Sequence, residues 1–145
     1  VATDISENTL ALAKENAVRN KMSERIEFRQ GDGFAALLPV PLFDLILSNP
    51  PYIPSAEIAT LDPEVRDFDP RLALDGGADG LEFYRRIAAQ ARTFLKPAGK
   101  LMVEFGDGQA DDISRIFAAE NWVVEAVRED YSQRARIIVA RASRP

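Results

Sequence analysis

The spacing of apolar and polar positions divides the chain into alternating strand-like and helix-like stretches. Val1 to Asp4 reads as the end of a strand. Leu10, Ala13 and Ala17 then recur at helical spacing behind Ser6, a suitable N-cap, which predicts a helix to about Lys21. Arg25 to Gln30 alternates, with Ile26 and Phe28 on one side, and predicts a strand. Gly31-Asp32-Gly33 marks a turn, and Phe34 to Leu38 a short helical turn broken by Pro39 and Pro41. Phe43 to Leu47 is an apolar run of the buried-strand type. Tyr84, Ile87, Ala88, Ala91 and Leu95 give helical spacing from Leu81, with Lys96-Pro97-Ala98-Gly99 as the helix end. Leu101 to Phe105 reads as a buried strand. A helix follows from about Gln109 to Asn121, with Ile113, Ile116 and Phe117 on one face. Trp122–Val127 and Ala135–Arg141 read as a closing antiparallel pair.

Strands alternating with helices predict an α/β fold around a largely parallel sheet. Ligands bind such sheets at the carboxyl ends of the strands. Asp4, Asp32 and Asn49 are then expected on one rim. Residues 53–80 carry Pro54, Pro63, Pro70 and a Gly76-Gly77 pair, and read as a long loop with short helical pieces. Loops of that length in a compact domain are usually functional or mobile. Neither repeats nor a second domain are evident, so the 145 residues are expected to form one domain with a loop insertion at 53–80.

Composition narrows the chemistry. Without cysteine, disulfides, zinc-thiolate sites and thiol nucleophiles are excluded. Without histidine, the commonest general base and metal ligand are missing as well. No run approaches the roughly 20 apolar residues of a membrane span, and no signal-peptide pattern opens the chain; a cytoplasmic location is expected. The net charge of -5 is local. Residues 53–80 hold seven acids and two bases, leaving 16 of each elsewhere. That distribution argues against a nucleic-acid backbone lying on this segment. Its plain alternative is a solvated loop.

The most informative chemistry is Asn49-Pro50-Pro51-Tyr52, directly after an apolar strand. Proline has no N–H, and the residue before a proline is held extended, so the carbonyls here are rigidly aimed and not drawn into a helix. The Asn49 amide oxygen adds another acceptor. A rigid acceptor cluster beside a flat ring suits a planar –NH2 group. The competing reading is a tight turn with a buried tyrosine. Asp4 suits a ribose diol, as an acid at a second strand's end often does; Asp32 suits an adenine amino group, or simply forms a turn. Phe34 suits base stacking or core packing. The Gly76, Gly77 and Gly80 cluster lacks the Lys-Ser/Thr of a phosphate loop. Arg134 and Arg136 are expected to solvate an edge strand.

These features together resemble class I methyltransferases, and more narrowly the HemK/PrmC family of protein-(glutamine-N5) methyltransferases. The resemblance runs through Ala2-Thr3-Asp4-Ile5-Ser6, Asn16-Ala17, Phe43 to Ile53, Glu64-Val65, Ala73 to Leu81, Tyr84-Arg85 and Arg128-Glu129-Asp130. The Asn-Pro-Pro-Tyr motif alone is shared with amino-methylating enzymes of DNA and RNA; the Leu74 to Leu81 segment is more specific. The resemblance implies a Rossmann-like sheet with helices on both faces and an antiparallel C-terminal strand pair. It implies S-adenosylmethionine as cofactor, held by Asp4, Ile5, Asp32, Gly33, Phe34 and Asn49. It implies methylation of the glutamine of the Gly-Gly-Gln motif in peptide chain release factors, with Asn49, Pro50, Pro51 and Tyr52 as catalytic residues. It further implies that the family's first strand, Gly-rich loop and amino-terminal domain belong before Val1. A truncated catalytic domain is therefore expected, with weak or no cofactor binding and apolar strand edges prone to dimerisation. The competing functions are an amino-methyltransferase of nucleic acid, a ribosomal-protein glutamine methyltransferase and a non-catalytic binding module. Neither a metal, nor direct nucleic-acid contact, nor a membrane is expected.

Overall fold

Ser6 caps the first helix as its position predicts: its hydroxyl accepts the Thr9 N–H at 3.2 Å, and α1 runs Glu7–Arg19 with Leu10 and Ala17 buried. The computed structural model describes residues 1–37 and 42–143. Two compact units are present, Val1–Pro41 and Leu42–Pro145.

In the first unit, β1 (Ala2–Asp4) and β2 (Phe28–Gln30) pair in parallel, with Asp4 opposite Gln30. β2 is shorter than its alternation predicts. Ser23–Arg25 forms a 3-10 turn instead, and Ile26 is exposed. Periodicity alone cannot detect where a ladder runs out of partner residues, and β1 offers only three. A second 3-10 turn covers Gly33–Leu37, with Leu37 buried. Leu38, Pro39 and Pro41, the predicted end and break of that turn, lie outside the described residues.

The second unit is built on a four-stranded sheet in the order β3-β4-β6-β5. Its strands are β3 (Phe43–Ser48), β4 (Leu95–Glu104), β5 (Trp122–Glu129) and β6 (Ala135–Ala142). β3 and β4 are parallel, and β6 is antiparallel to both neighbours. The short helices α2 (Pro63–Arg66) and α3 (Arg71–Leu74) punctuate the long segment after β3. α4 (Glu82–Gln90) and α5 (Ala110–Ala119) turn Tyr84, Ile87, Ile113 and Phe117 inward. These join Leu101, Val103, Ile138 and Ala140 of the sheet in the core. Trp122 closes it: its indole N–H donates to the Ala88 carbonyl at 2.8 Å, and its ring lies 6.0 Å from that of Phe117. Burying the core aromatics contributes about 1.5–3 kcal/mol each relative to exposure.

Three expectations change here. Lys96-Pro97-Ala98-Gly99 does not end a helix but lies inside β4, where the β3 register jumps between Phe43 and Leu45. Pro97 removes a ladder donor, which strands tolerate at such irregularities. Second, β3 is less buried than its apolar run implies. Among the described residues it pairs only with β4, and Leu45 and Leu47 are 45% and 67% exposed. Third, β6 is not an edge strand. Arg136 is half-buried and its Nη1 donates to the Phe105 carbonyl at 3.2 Å.

Candidate active site

Each unit carries its polar candidates at the carboxyl ends of parallel strands. In the first, Asp4 closes β1. Its Oδ1 accepts the Ser6 N–H at 2.7 Å, and its carbonyl accepts the Gly31 N–H at 3.0 Å. The Ile5 carbonyl accepts from Gln30 Nε2 at 3.3 Å, while the Ile5 side chain is exposed. Asp32, Gly33 and Phe34 follow the end of β2. Gly33 has a φ of 55°, the left-handed region, at the entry to the 3-10 turn. Asp32 is exposed and Phe34 half-buried. Asp4, Ile5, Asp32, Gly33 and Phe34 thus share one end of the β1-β2 pair.

Asn49, Pro50, Pro51 and Tyr52 belong to the second unit, at the carboxyl end of β3. Asn49 is exposed and Pro50 buried. A cleft of about 270 Å³ opens beside Asn49, between Leu47 and Ser48 of β3, Met102 to Glu104 of β4 and Ile137 of β6. It is open to solvent, with apolar walls and the Asn49 amide at its edge.

The backbone behind this motif is clamped. The Ile53 N–H donates to the Leu74 carbonyl at 3.0 Å, the Gly76 N–H to the Ile53 carbonyl at 2.8 Å, and the Ser55 N–H to the Gly77 carbonyl at 2.9 Å. The two ends of residues 53–80 therefore close on each other. The glycines of Gly76-Gly77-Ala78-Asp79-Gly80 make that closure possible. A Cβ on Gly76 would come within 2.8 Å of the Tyr52 Cα and 2.9 Å of the Pro51 carbonyl oxygen. Gly80, at φ +73°, lies against the Tyr52 carbonyl.

Acids of this segment form part of the clamp. Asp75 Oδ1 accepts from the Ser55 hydroxyl at 2.6 Å and from the Gly77 N–H at 3.1 Å. The Ser55 bond, then the Gly77 N–H and Arg71, hold its carboxyl below the usual range. Asp79 accepts from the Leu81 N–H at 3.1 Å and pairs with Arg85. The Arg85 guanidinium and that N–H lower its pKa to about 2. Periodicity and composition could not separate these two from the acids that merely face water. The segment is a closed strap rather than an open loop, and Glu57, Asp62, Glu64, Asp67, Asp69 and Asp79 are its exposed acids, with Asp67 paired to Arg66.

Two further residues meet the motif from behind. The Tyr84 hydroxyl donates to the Glu104 carbonyl at 2.9 Å, and burial, then the neighbouring Tyr52 and Glu104, raise its pKa. Gln109 bonds to the Tyr52 carbonyl at 3.0 Å. The sequence reading makes Gln109 only a helix start. A usable signal was its place after β4, because loops following adjacent parallel strands share a rim. No group of three or more metal-binding side chains occurs among the described residues.

A family model described as a methyltransferase domain matches residues 1–139. The release factor glutamine methyltransferase of Rhodospirillum rubrum is 48% identical over 138 residues, covering 95% of this chain and 42% of that protein. Its counterpart in Cereibacter sphaeroides is 44% identical over 142 residues, covering 97% of this chain and 50% of that protein. The chain thus spans half or less of the length of these relatives. Among solved structures, a ribosomal protein L11 methylase from Lactobacillus delbrueckii matches with a TM-score of 0.69 at 17% identity, covering 99% of this chain and 57% of the other. A methyltransferase from Pyrococcus furiosus matches at 0.70 and 18%, covering 99% and 62%. At those identities the likeness is one of fold, which is the Rossmann-like class I methyltransferase fold.

Proposed function

Since this chain belongs to the methyltransferase-domain family, we propose that it carries the amide-binding part of a protein-(glutamine-N5) methyltransferase site whose substrate is a peptide chain release factor. The observation that carries this reading is the clamped Asn49-Pro50-Pro51-Tyr52 cluster at the carboxyl end of β3, with Asn49 lining the cleft. The 44–48% identity to release factor glutamine methyltransferases supports it.

An amide nitrogen is a poor nucleophile because its lone pair is delocalised into the carbonyl. The Asn49 side-chain oxygen and the Pro50 carbonyl accept the two amide hydrogens. They orient the nitrogen and favour the rehybridisation that frees its lone pair. Positioning of this kind contributes up to roughly 7–11 kcal/mol in ideal cases. Acceptors aimed at the developing positive charge add an electrostatic contribution. Tyr52 packs against the amide plane. Once the nitrogen carries the methyl group its remaining excess proton is strongly acidic, so its loss needs no strong base.

S-adenosylmethionine, the methyl donor of this family, supplies an electrophilic methyl group when bound. The residues of the first unit fit it. A carboxylate has about four acceptor positions, and the Ser6 N–H occupies one on Asp4, so a ribose diol fits the remainder. Asp32, Gly33 and Phe34 fit the adenine, and Ile5 offers it an exposed apolar surface. Exposed acids of the strap suit a basic surface around the substrate's glutamine. A release factor works in protein synthesis, so the proposed substrate implies a cytoplasmic reaction.

The test is Asn49→Ala in the intact protein, read as methyl transfer to a release factor. Asn49 is exposed and outside the core, so the variant should fold normally and lose methylation by about 100-fold or more. Full activity in that variant would refute the reading.

A further inference from the structure

We infer that Gln109 is a positioning residue for the Asn49-Pro50-Pro51-Tyr52 cluster, an inference that rests on the amide-methylating reading of that cluster. Its Nε2 donates to the Tyr52 carbonyl at 3.0 Å and reaches the Gly80 carbonyl at 3.4 Å, while its Oε1 accepts the Gly106 N–H at 2.9 Å. One side-chain amide thereby links the motif, the glycine end of the strap and the loop after β4. The partners dictate the amide's orientation: reversed, its oxygen would face two carbonyl oxygens and its NH2 an N–H.

The link acts on the motif through a single peptide unit. The Tyr52 carbonyl and the Ile53 N–H belong to the same plane. The first is held by Gln109, the second by the Leu74 carbonyl at 3.0 Å. The rings of Pro50 and Pro51 lock their own φ angles. With φ locked and the following peptide plane held from both sides, few backbone torsions remain through which the Pro50 carbonyl and the Asn49 backbone could drift. Two glycines make room for the amide. A Cβ on Gly80 would come within 2.8 Å of Gln109 Nε2, and one on Gly106 within 2.9 Å of its Oε1.

Glutamine is the residue type this geometry requires. Glutamate has the same shape but would set a carboxylate against two carbonyl oxygens. Methionine fills the same length with neither donor nor acceptor. Gln109→Glu and Gln109→Met in the intact protein therefore separate hydrogen bonding from packing. Both should lower kcat for glutamine methylation by about ten- to a hundredfold, the cost of a small misplacement, and leave KM for protein and cofactor within about twofold. The kcat deficit should persist in assays run well below each variant's thermal midpoint. A deficit that vanishes there means a merely structural role and overturns the inference, as does an unchanged kcat in Gln109→Glu. Hydrogen exchange of the Gln109 side-chain NH2, followed by NMR in the unmodified protein, gives a second readout independent of turnover. Slow exchange is expected; exchange at the free-glutamine rate overturns the link. An unmodified protein that shows slow exchange but never methylates glutamine overturns the functional reading instead.

Discussion

Replacing Gly80 with Ala should destabilise the second unit more than the same change at Gly108, and the difference measures the packing of the strap on Tyr52. Both glycines occupy the left-handed region, at φ +73° and +78°. An L residue held there costs about 1–2 kcal/mol. The gain from stiffening the unfolded chain is likewise common to both. What differs is the space. A Cβ on Gly108 meets nothing within 4 Å, whereas one on Gly80 overlaps the Tyr52 carbonyl and crowds Gln109. That carbonyl cannot yield cheaply, because its peptide unit is bonded on both sides. Overpacking of this kind costs about 1–3 kcal/mol. The expectation is therefore about 1–2 kcal/mol for Gly108→Ala and about 2–5 kcal/mol for Gly80→Ala. Urea unfolding followed by fluorescence of Trp122, the single tryptophan of the chain, reports on this unit. The midpoints should separate while the slopes stay equal. Two variants within about 0.5 kcal/mol of each other would refute the packing of Gly80 on the motif.

Two other outcomes follow from the charges. Tyr84 has a folded pKa raised above the ordinary value of about 10. The stability it contributes is complete below pH ~10 and is lost as pH rises beyond that toward its folded value. An ultraviolet titration should show one of the three tyrosines ionising only as the protein unfolds, and Tyr84→Phe should remove that step. All three ionising near pH 10 in a folded chain would count against it. Reversing Asp67 and Asp69 to Lys should slow association with a release factor and flatten its salt dependence, measured by stopped flow; unchanged rates would leave these acids as solvated surface.

Much of the fold was legible from local physics. Ser6 announced a helix start because an N-cap hydroxyl satisfies an otherwise orphan N–H. Ile113 and Phe117 marked the inner face of α5, and both are buried. The closing antiparallel pair, Trp122–Val127 with Ala135–Arg141, is found as β5 against β6. Where the reading failed, the deciding interaction was tertiary. Pro97 and Gly99 look like helix punctuation, yet they sit in β4 as an irregularity between Leu95 and Lys100, the two residues that pair with β3 on either side. Leu45 and Leu47 look buried by hydropathy, yet strand order leaves β3 at an edge.

The same division holds at the site. By itself the sequence determined that Asn49-Pro50-Pro51-Tyr52 ends a strand and presents rigid acceptors, because proline acts through its own ring and its immediate neighbour. It determined that these 145 residues supply no thiol or imidazole. Tertiary structure alone decided what holds the motif still. Gly76 and Gly80 close on Pro51 and Tyr52 across more than twenty residues of chain, and Gln109 reaches Tyr52 from 57 residues away. Such contacts leave no periodic trace, since they depend on a missing Cβ or one amide's reach rather than on hydropathy. The stiffness of the two prolines is local, while the contacts that hold the motif in place come from the fold.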